Sequence, residues 1–350
     1  MSRSARGSSP PPQLTLFGDP PPERPGKRDD GPPSPSEGLP VDPAAADLAA
    51  RLPATLRFGT SSWSFPGWAG LVYSRPRTPQ WLARYGLTEY ARHPLFRTVG
   101  LDRGYYAPIP EADLASYASQ LPAGFDVCTK APALVTSAIV PESGRTGSPV
   151  ENPHFLDVDV TRRELLDPFE RALPANTGPF IFELPPLPPA FRLDPGRFAE
   201  ALDQFFAGLP THHRYGVEIR DRALLTPDYA AVLARHRVAH VCNYWSAMPA
   251  LRQQAAVVRP DAAPFVMIRL LLKPGTRYDA RREAYQPFDK IVDADEGMRG
   301  EVVDLLKRAV RATQPAYILV NNKAEGSSPL TIRAIIDRFL RESGEIPCPE

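Results

Sequence analysis

From Leu56 onward two apolar patterns alternate along the chain. Short runs rich in β-branched and aromatic residues are separated by longer stretches in which apolar residues recur at helical spacing. The short runs predict strands at Leu56–Trp63, Arg97–Asp102, Asp126–Ala131, Pro179–Leu184, Tyr215–Arg220, His240–Trp245, Phe265–Leu271 and Ala316–Asn321. The longer ones predict helices at Pro79–Arg92, Glu111–Gln120, Thr161–Ala172, Pro195–Gly208, Thr226–Arg237, Met298–Thr313 and Ser328–Arg341. Thr161 with Glu164 reads as a capping box, and Gly208 as a stop. Thr226-Pro227 reads as an N-cap followed by proline at the first helical position.

Strands alternating with helices imply parallel βα units. Eight of them over roughly 290 residues (55–345) favour an α/β class and a single closed (β/α)8 TIM-type barrel over an open doubly wound sheet. No Gly-x-Gly-x-x-Gly follows a strand and no GxxxxGK[ST] occurs, so no nucleotide cofactor is expected. The connections Leu134–Val160, Ser246–Pro264 and Lys273–Glu296 are long and follow strands three, six and seven. In this fold such loops build the active-site face.

The first 54 residues have a different character. Thirteen of the 43 prolines precede Leu56, with Gly, Ser and charge between them. Such a segment has too little apolar surface to offset its ordering entropy, so a disordered tail is expected. One apolar island interrupts it: Gln13-Leu14-Thr15-Leu16-Phe17. This pentapeptide resembles the bacterial sliding-clamp-binding motif. In that reading Gln13 enters a polar pocket, while Leu14, Leu16 and Phe17 supply apolar contact. The alternatives are docking of the island onto its own barrel, or no role.

The remaining composition mostly excludes. A formal net charge of +1 gives no global field toward nucleic acid or membrane. No apolar run reaches the roughly 18 residues of a membrane span, and no secretory h-region opens the chain. Cys128, Cys242 and Cys348 show no zinc or disulfide spacing, so a cytoplasmic, reducing setting is expected. Cys128 and Cys242 lie inside strands and read as buried small hydrophobes. Metal ligation is poorly supported anywhere in the chain, and no metal site is expected. His93, His212, His213, His236 and His240 fall near helix C-ends or strand starts, on the far side, and only His154 lies in a long loop. There is no Gly-x-Ser-x-Gly elbow either.

Polar residues instead collect where strands end: Ser61, Ser62 and Trp63; Asp102; Lys130; Glu183; Glu218 and Arg220; Asn243; Arg269; Asn321, Asn322 and Lys323. A charge inside an apolar strand is costly unless paired. Glu218 and Arg220, two apart, share one strand face and are expected to pair with each other or with Arg269 and Glu183 across the lumen. A structural ion-pair plug and a ligand pocket both fit that pattern. Placement at the C-terminal strand ends favours the pocket.

Several segments together resemble the YecE-like family, domain of unknown function 72. They are Gly59-Thr60-Ser61-Ser62-Trp63-Ser64-Phe65 with Trp68; Phe125 through Lys130-Ala131-Pro132; Glu183-Leu184-Pro185-Pro186 with Phe191; Val217-Glu218-Ile219-Arg220; Phe265 to Arg269-Leu270; and Asn321-Asn322 with Gly326. The resemblance spans Leu56 to Leu340 and implies a TIM-type barrel with no established activity. The chain departs from the family pattern at three places. Val99-Gly100-Leu101-Asp102 stands where Val-Glu-Ile-Asn is common, Arg269-Leu270-Leu271-Leu272 where Arg-Leu-His-Gly is common, and Arg220-Asp221 where Arg-His is common. A mouth carboxylate and two histidines are thus expected to be missing.

The leading expectation is a pocket for an anionic or polyhydroxyl ligand, nucleic-acid-derived ones included, with hydrolysis or isomerisation as the candidate reactions. Glu218 and Glu183 are the acid–base candidates. Arg220, Arg269 and Lys130 would hold negative charge, with Asp102, Asn243 and Asn322 as further polar contacts. Trp63, Tyr105 and Tyr106 would stack on a ring. The alternatives are a non-catalytic DNA-maintenance accessory tethered to the clamp, and a scaffold with a vestigial site.

Overall fold

The computed structural model describes residues 42–140 and 150–344. The apolar island Gln13–Phe17, most of the tail and Cys348 lie outside the described residues.

Eight parallel strands form the centre: β1 Leu56–Thr60, β2 Thr98–Leu101, β3 Asp126–Lys130, β4 Thr177–Leu184, β5 Tyr215–Ile219, β6 Ala239–Tyr244, β7 Val266–Leu270 and β8 Ala316–Val320. Each ladders with its chain neighbour from β2 round to β8, and β8 returns to pair with β1. The seam between β1 and β2 lacks a regular ladder but is bridged by Arg97 N–H donating to the Phe58 carbonyl (2.9 Å). Backbones come unusually close there. A Cβ on Gly59 would stand 1.9 Å from the Thr98 carbonyl oxygen, and one on Gly100 would stand 2.9 Å from Ser61 backbone. The barrel is thus nearly closed, and glycine is what allows it.

Helices cover the outside. Pro195–Gly208 is a helix with the bounds its sequence implies, its inner face formed by Phe198, Leu202, Phe205 and Phe206. Thr226 caps Pro227–Arg235 by accepting from Tyr229 N–H (3.2 Å), as its sequence suggests. Other boundaries differ. Thr161 is not an N-cap. Asp157 caps that helix by accepting from Val160 N–H (2.9 Å), and Thr161 donates its hydroxyl back to the Asp157 carbonyl (2.6 Å). The helix therefore begins a turn earlier, because an Asp side chain competes better for free N–H groups than the Thr inside the pattern.

The expectation of disorder out to residue 54 fails over its last part. Pro43–Arg51 is helical, capped by Asp42, with Ala45 and Leu48 buried. Arg97 secures it by donating to the carbonyls of Ala49 (3.1 Å) and Pro53 (2.8 Å). The long connections also hold structure of their own. Leu251–Val258 and Tyr278–Tyr285 are helices, and Ile139–Val140 pairs antiparallel with Val150–Glu151.

Inside the barrel every second residue points inward, and the lumen is layered accordingly. At the N-terminal end Tyr317 donates its hydroxyl to Asp126 (2.6 Å) and accepts from Arg214 (2.9 Å). The middle is apolar: Cys128, Ile181, Val241, Met267 and Leu319 pack as one buried cluster. Burial pushes both the Cys128 and the Cys242 thiols up to about 12, so neither is a nucleophile at neutral pH. Two residues further along, the lumen becomes polar, with Lys130, Glu183 and Arg269 charged and Asn243 and Asn321 neutral. No helix among the described residues is long and apolar enough to cross a membrane.

Candidate functional site at the barrel mouth

The strand ends bring six ionisable side chains together. Glu183 and Glu218 are register partners on β4 and β5, and Asn243 and Arg269 on β6 and β7. Arg269 lies at the centre. It donates to Glu183 (2.9 Å), to Glu218 at very short range, and to both oxygens of Asp102 (3.3 Å). Arg220 lies 2.7 Å from Glu183 and 2.6 Å from Glu218. Lys130 completes the set at 2.9 Å from Glu183. All six are nearly inaccessible: Glu218 is 0% exposed and Arg269 1%.

Three acids face three bases, so the cluster is formally neutral. Burial by itself would raise the Glu183 carboxyl. The Arg220, Lys130 and Arg269 charges reverse that and hold it well below the usual carboxylate range. Burial would likewise lower the Arg269 guanidinium, but Glu218, Asp102 and Glu183 drive it up instead. Both therefore stay ionised throughout the physiological range, and Glu183 cannot act as a general acid.

Aromatic rings flank the cations. The Lys130 ammonium lies 4.2 Å from the Tyr105 ring centre, and the Arg220 guanidinium 4.2 Å from that of Trp245. Lys323, just past β8, lies 4.4 Å from the Tyr278 ring. Its amine is pulled down to about 8 by burial, against the opposing pull of Asp102. Trp245 and Tyr278 were not singled out from the sequence. Trp245 follows Tyr244 in a run that reads as ordinary strand end, and Tyr278 lies in a connection without apparent structure.

The structure also reassigns some of the residues singled out. Trp63 is a core residue and not a stacking platform. It is 5% exposed, donates its indole N–H to Leu82 (2.9 Å) and meets Tyr117 edge-on (5.4 Å). β1 ends at Thr60, so Trp63 turns outward from the lumen into the surrounding helices. Asn322 does local work: its carbonyl accepts from Ser328 N–H (2.8 Å) and from the Ser328 hydroxyl (2.9 Å), fixing the start of the last helix. Tyr105 and Tyr106 do lie beside the site, edge to face at 5.3 Å, with Tyr106 exposed. Asn243 is fully buried. It donates to the Ile219 carbonyl (2.9 Å), while its own Oδ1 has no hydrogen-bond partner among the described residues.

The expected loss of a mouth carboxylate is made good. Position 100 is glycine, but Asp102, just past the end of β2, delivers its carboxylate to Arg269. Of the two histidine positions, Asp221 pairs with Arg192 and caps a short turn through Ala223 N–H (3.0 Å). Leu271 is buried, its N–H donating to the Tyr244 carbonyl (3.2 Å). His154 rests against Asp157 (3.7 Å).

A family model, "Protein of unknown function DUF72", matches residues 57–349. The chain belongs to the DUF72 family. Two solved members share its fold. One from Thermotoga maritima is 16% identical with a TM-score of 0.57, the match covering 82% of this chain and 99% of that one. One from Enterococcus faecalis is 12% identical with a TM-score of 0.52, covering 81% and 95%. No functionally curated protein matches. The family assignment confirms the barrel and leaves the chemistry of the site to be argued from its residues.

Behind the mouth, a neutral relay supports β6. His240 accepts from the Tyr229 hydroxyl at Nδ1 (2.8 Å) and contacts the Gln254 carbonyl oxygen through Nε2 (3.1 Å), and that oxygen also accepts from Asn243 N–H (3.1 Å). Burial lowers the His240 imidazole to about 4, and a bond to Gln254 only partly offsets this. A buried histidine with a depressed folded-state pKa stabilises the fold above its unfolded value of about 6.5. That contribution is lost as pH falls toward 4. Denaturant unfolding is expected to show up to about 3 kcal/mol lost over this window through His240. Its ring proton shifts should stay those of a neutral imidazole down to about pH 4. Titration near 6.5 in the folded protein would contradict this.

Proposed function

We propose that the mouth of this barrel binds a small anionic polyhydroxyl ligand of the sugar-phosphate kind. The observation that carries the reading is the buried cluster of Asp102, Lys130, Glu183, Glu218, Arg220 and Arg269 at the C-terminal strand ends. Six charges held out of water are a poor way to stabilise a barrel, because an apolar plug of the same volume would do as well or better. Their position is where this fold does its chemistry. The cations at the mouth, Lys323 among them, suit an anionic group, and the aromatic rings beside them suit the apolar face of a sugar ring.

Binding is tested by calorimetry against a panel of neutral sugars, sugar phosphates and nucleotides at two salt concentrations. The expected ligand is a sugar phosphate whose affinity falls at least ten-fold in Lys323→Met and weakens as pH rises through about 8, where the Lys323 amine loses its charge. No saturable binding across the panel, or equal affinity in Lys323→Met, would reject the proposal. A steep salt slope confined to polynucleotides would point instead to backbone phosphate recognition.

A further inference from the structure

We infer that the opposite, N-terminal face of the barrel carries a site for a divalent transition-metal ion, made of Glu170, His212 and His213. Glu170 lies on the helix Asp167–Ala172, and the two histidines end the connection that enters β5. A single oxygen of Glu170 stands 2.7 Å from His213 Nε2 and 3.0 Å from His212 Nε2. All three potential ligand atoms lie within 4.8 Å of one another, the one such grouping of His, Cys, Asp and Glu among the described residues. They open onto a cavity of about 320 Å³ bordered by Pro174, Thr177, Gly178 and Arg214.

The arrangement meets the demands of a metal. Donors bound to tetrahedral zinc at about 2.0–2.2 Å stand roughly 3.3–3.6 Å apart, so each of the two Glu170–His distances needs to open by less than about 1 Å. Glu170 and His212 are largely exposed and free to swing by that much. His213 is the fixed member, wedged edge-on against Phe180 (5.2 Å) and Tyr215 (6.1 Å). The cavity admits water to the fourth position. Two imidazoles and one carboxylate suit zinc, cobalt or nickel, whereas calcium and magnesium call for oxygen donors.

The nearby cations are already engaged. Arg214 donates to Tyr317 (2.9 Å) and lies 3.6 Å from Asp126, and Arg171 is held by Glu111 at 2.5 Å. A bound ion would tie the helix that precedes β4 to the entry of β5. That is the end of this fold where residues serve stability and not catalysis.

The test uses the untagged full chain, stripped of metal with a chelator and titrated with Zn²⁺ in competition with a chromophoric chelator and with Co²⁺ by visible absorption. One equivalent is expected to bind with micromolar or better affinity, giving a tetrahedral cobalt band and a higher melting temperature. His212→Ala and Glu170→Gln, both at exposed positions, are expected each to weaken binding at least ten-fold and to remove the cobalt band. His154→Ala, at the exposed His154–Asp157 pair, should change neither. Absence of saturable binding, or wild-type affinity in either His212→Ala or Glu170→Gln, would overturn the inference.

Discussion

Arg269→Ala is expected to cost about 3–5 kcal/mol of folding stability. The guanidinium is 1% exposed and answers three carboxylates at once: Asp102, Glu183 and Glu218. Removing it leaves three buried negative charges with Lys130 and Arg220 as the remaining cations of the cluster, and Asp102 loses its ion-pair partner there. For a chain of this size the melting temperature should fall by roughly ten degrees. The penalty comes from the stranded acids and not from a strong net contribution of the ion pairs, which predicts strong coupling. Arg269→Ala combined with Glu218→Gln should lose clearly less than the sum of the two single changes. Additive losses, or a cost below about 1 kcal/mol for Arg269→Ala alone, would mean that water reaches these carboxylates and screens them.

The second large effect is at the β1–β2 seam. Gly59→Ala is expected to destabilise by about 3 kcal/mol or to prevent soluble expression, since overpacking against backbone has no flexible neighbour to absorb it. The added Cβ would sit 1.9 Å from the Thr98 carbonyl oxygen, a distance that requires β1 and β2 to separate. Separation would break the Arg97–Phe58 bond that bridges the seam and shift Thr98 and Gly100 away from Asp102's present position on Arg269. Gly124→Ala supplies the comparison. Its φ of +79° makes alanine strained, but the added Cβ has nothing within 4 Å, so only the backbone penalty of about 1–2 kcal/mol should appear. Paired denaturation curves would decide the matter, because equal losses at the two positions would mean that the strands are not in this close contact.

Reading the chain alone reaches some of these features and not others, for identifiable reasons. The eight strands and the helices between them are written in short-range periodicity, and Thr226 marks a helix start through a bond to Tyr229 three residues on. The same local rule carried the inward charges. Because a strand alternates faces every residue, Glu218 and Arg220 had to share a side, and pairing with Arg269 and Glu183 followed from the cost of burying them alone. Local rules failed where two patterns overlapped. Asp157 displaced Thr161 as a cap, and Pro43–Arg51 formed a helix inside a proline-rich stretch because Leu48 and Leu52 found core to bury in.

What tertiary structure alone decided is which distant groups meet. Trp63 looked like a mouth aromatic but turned into the core once β1 ended at Thr60. Asp102 replaced a carboxylate absent at position 100 because the seam leaves no room for a side chain on Gly100. Glu170 joins His212 and His213 across about forty intervening residues, and Asp126 joins Tyr317 from the far side of the barrel. No periodicity links such positions. Their contact is set by strand register and by closure of the sheet, which place residues remote in sequence a few ångströms apart. The chain by itself therefore determined the barrel and the charged layer within it, while the closed sheet determined which of those charges face one another.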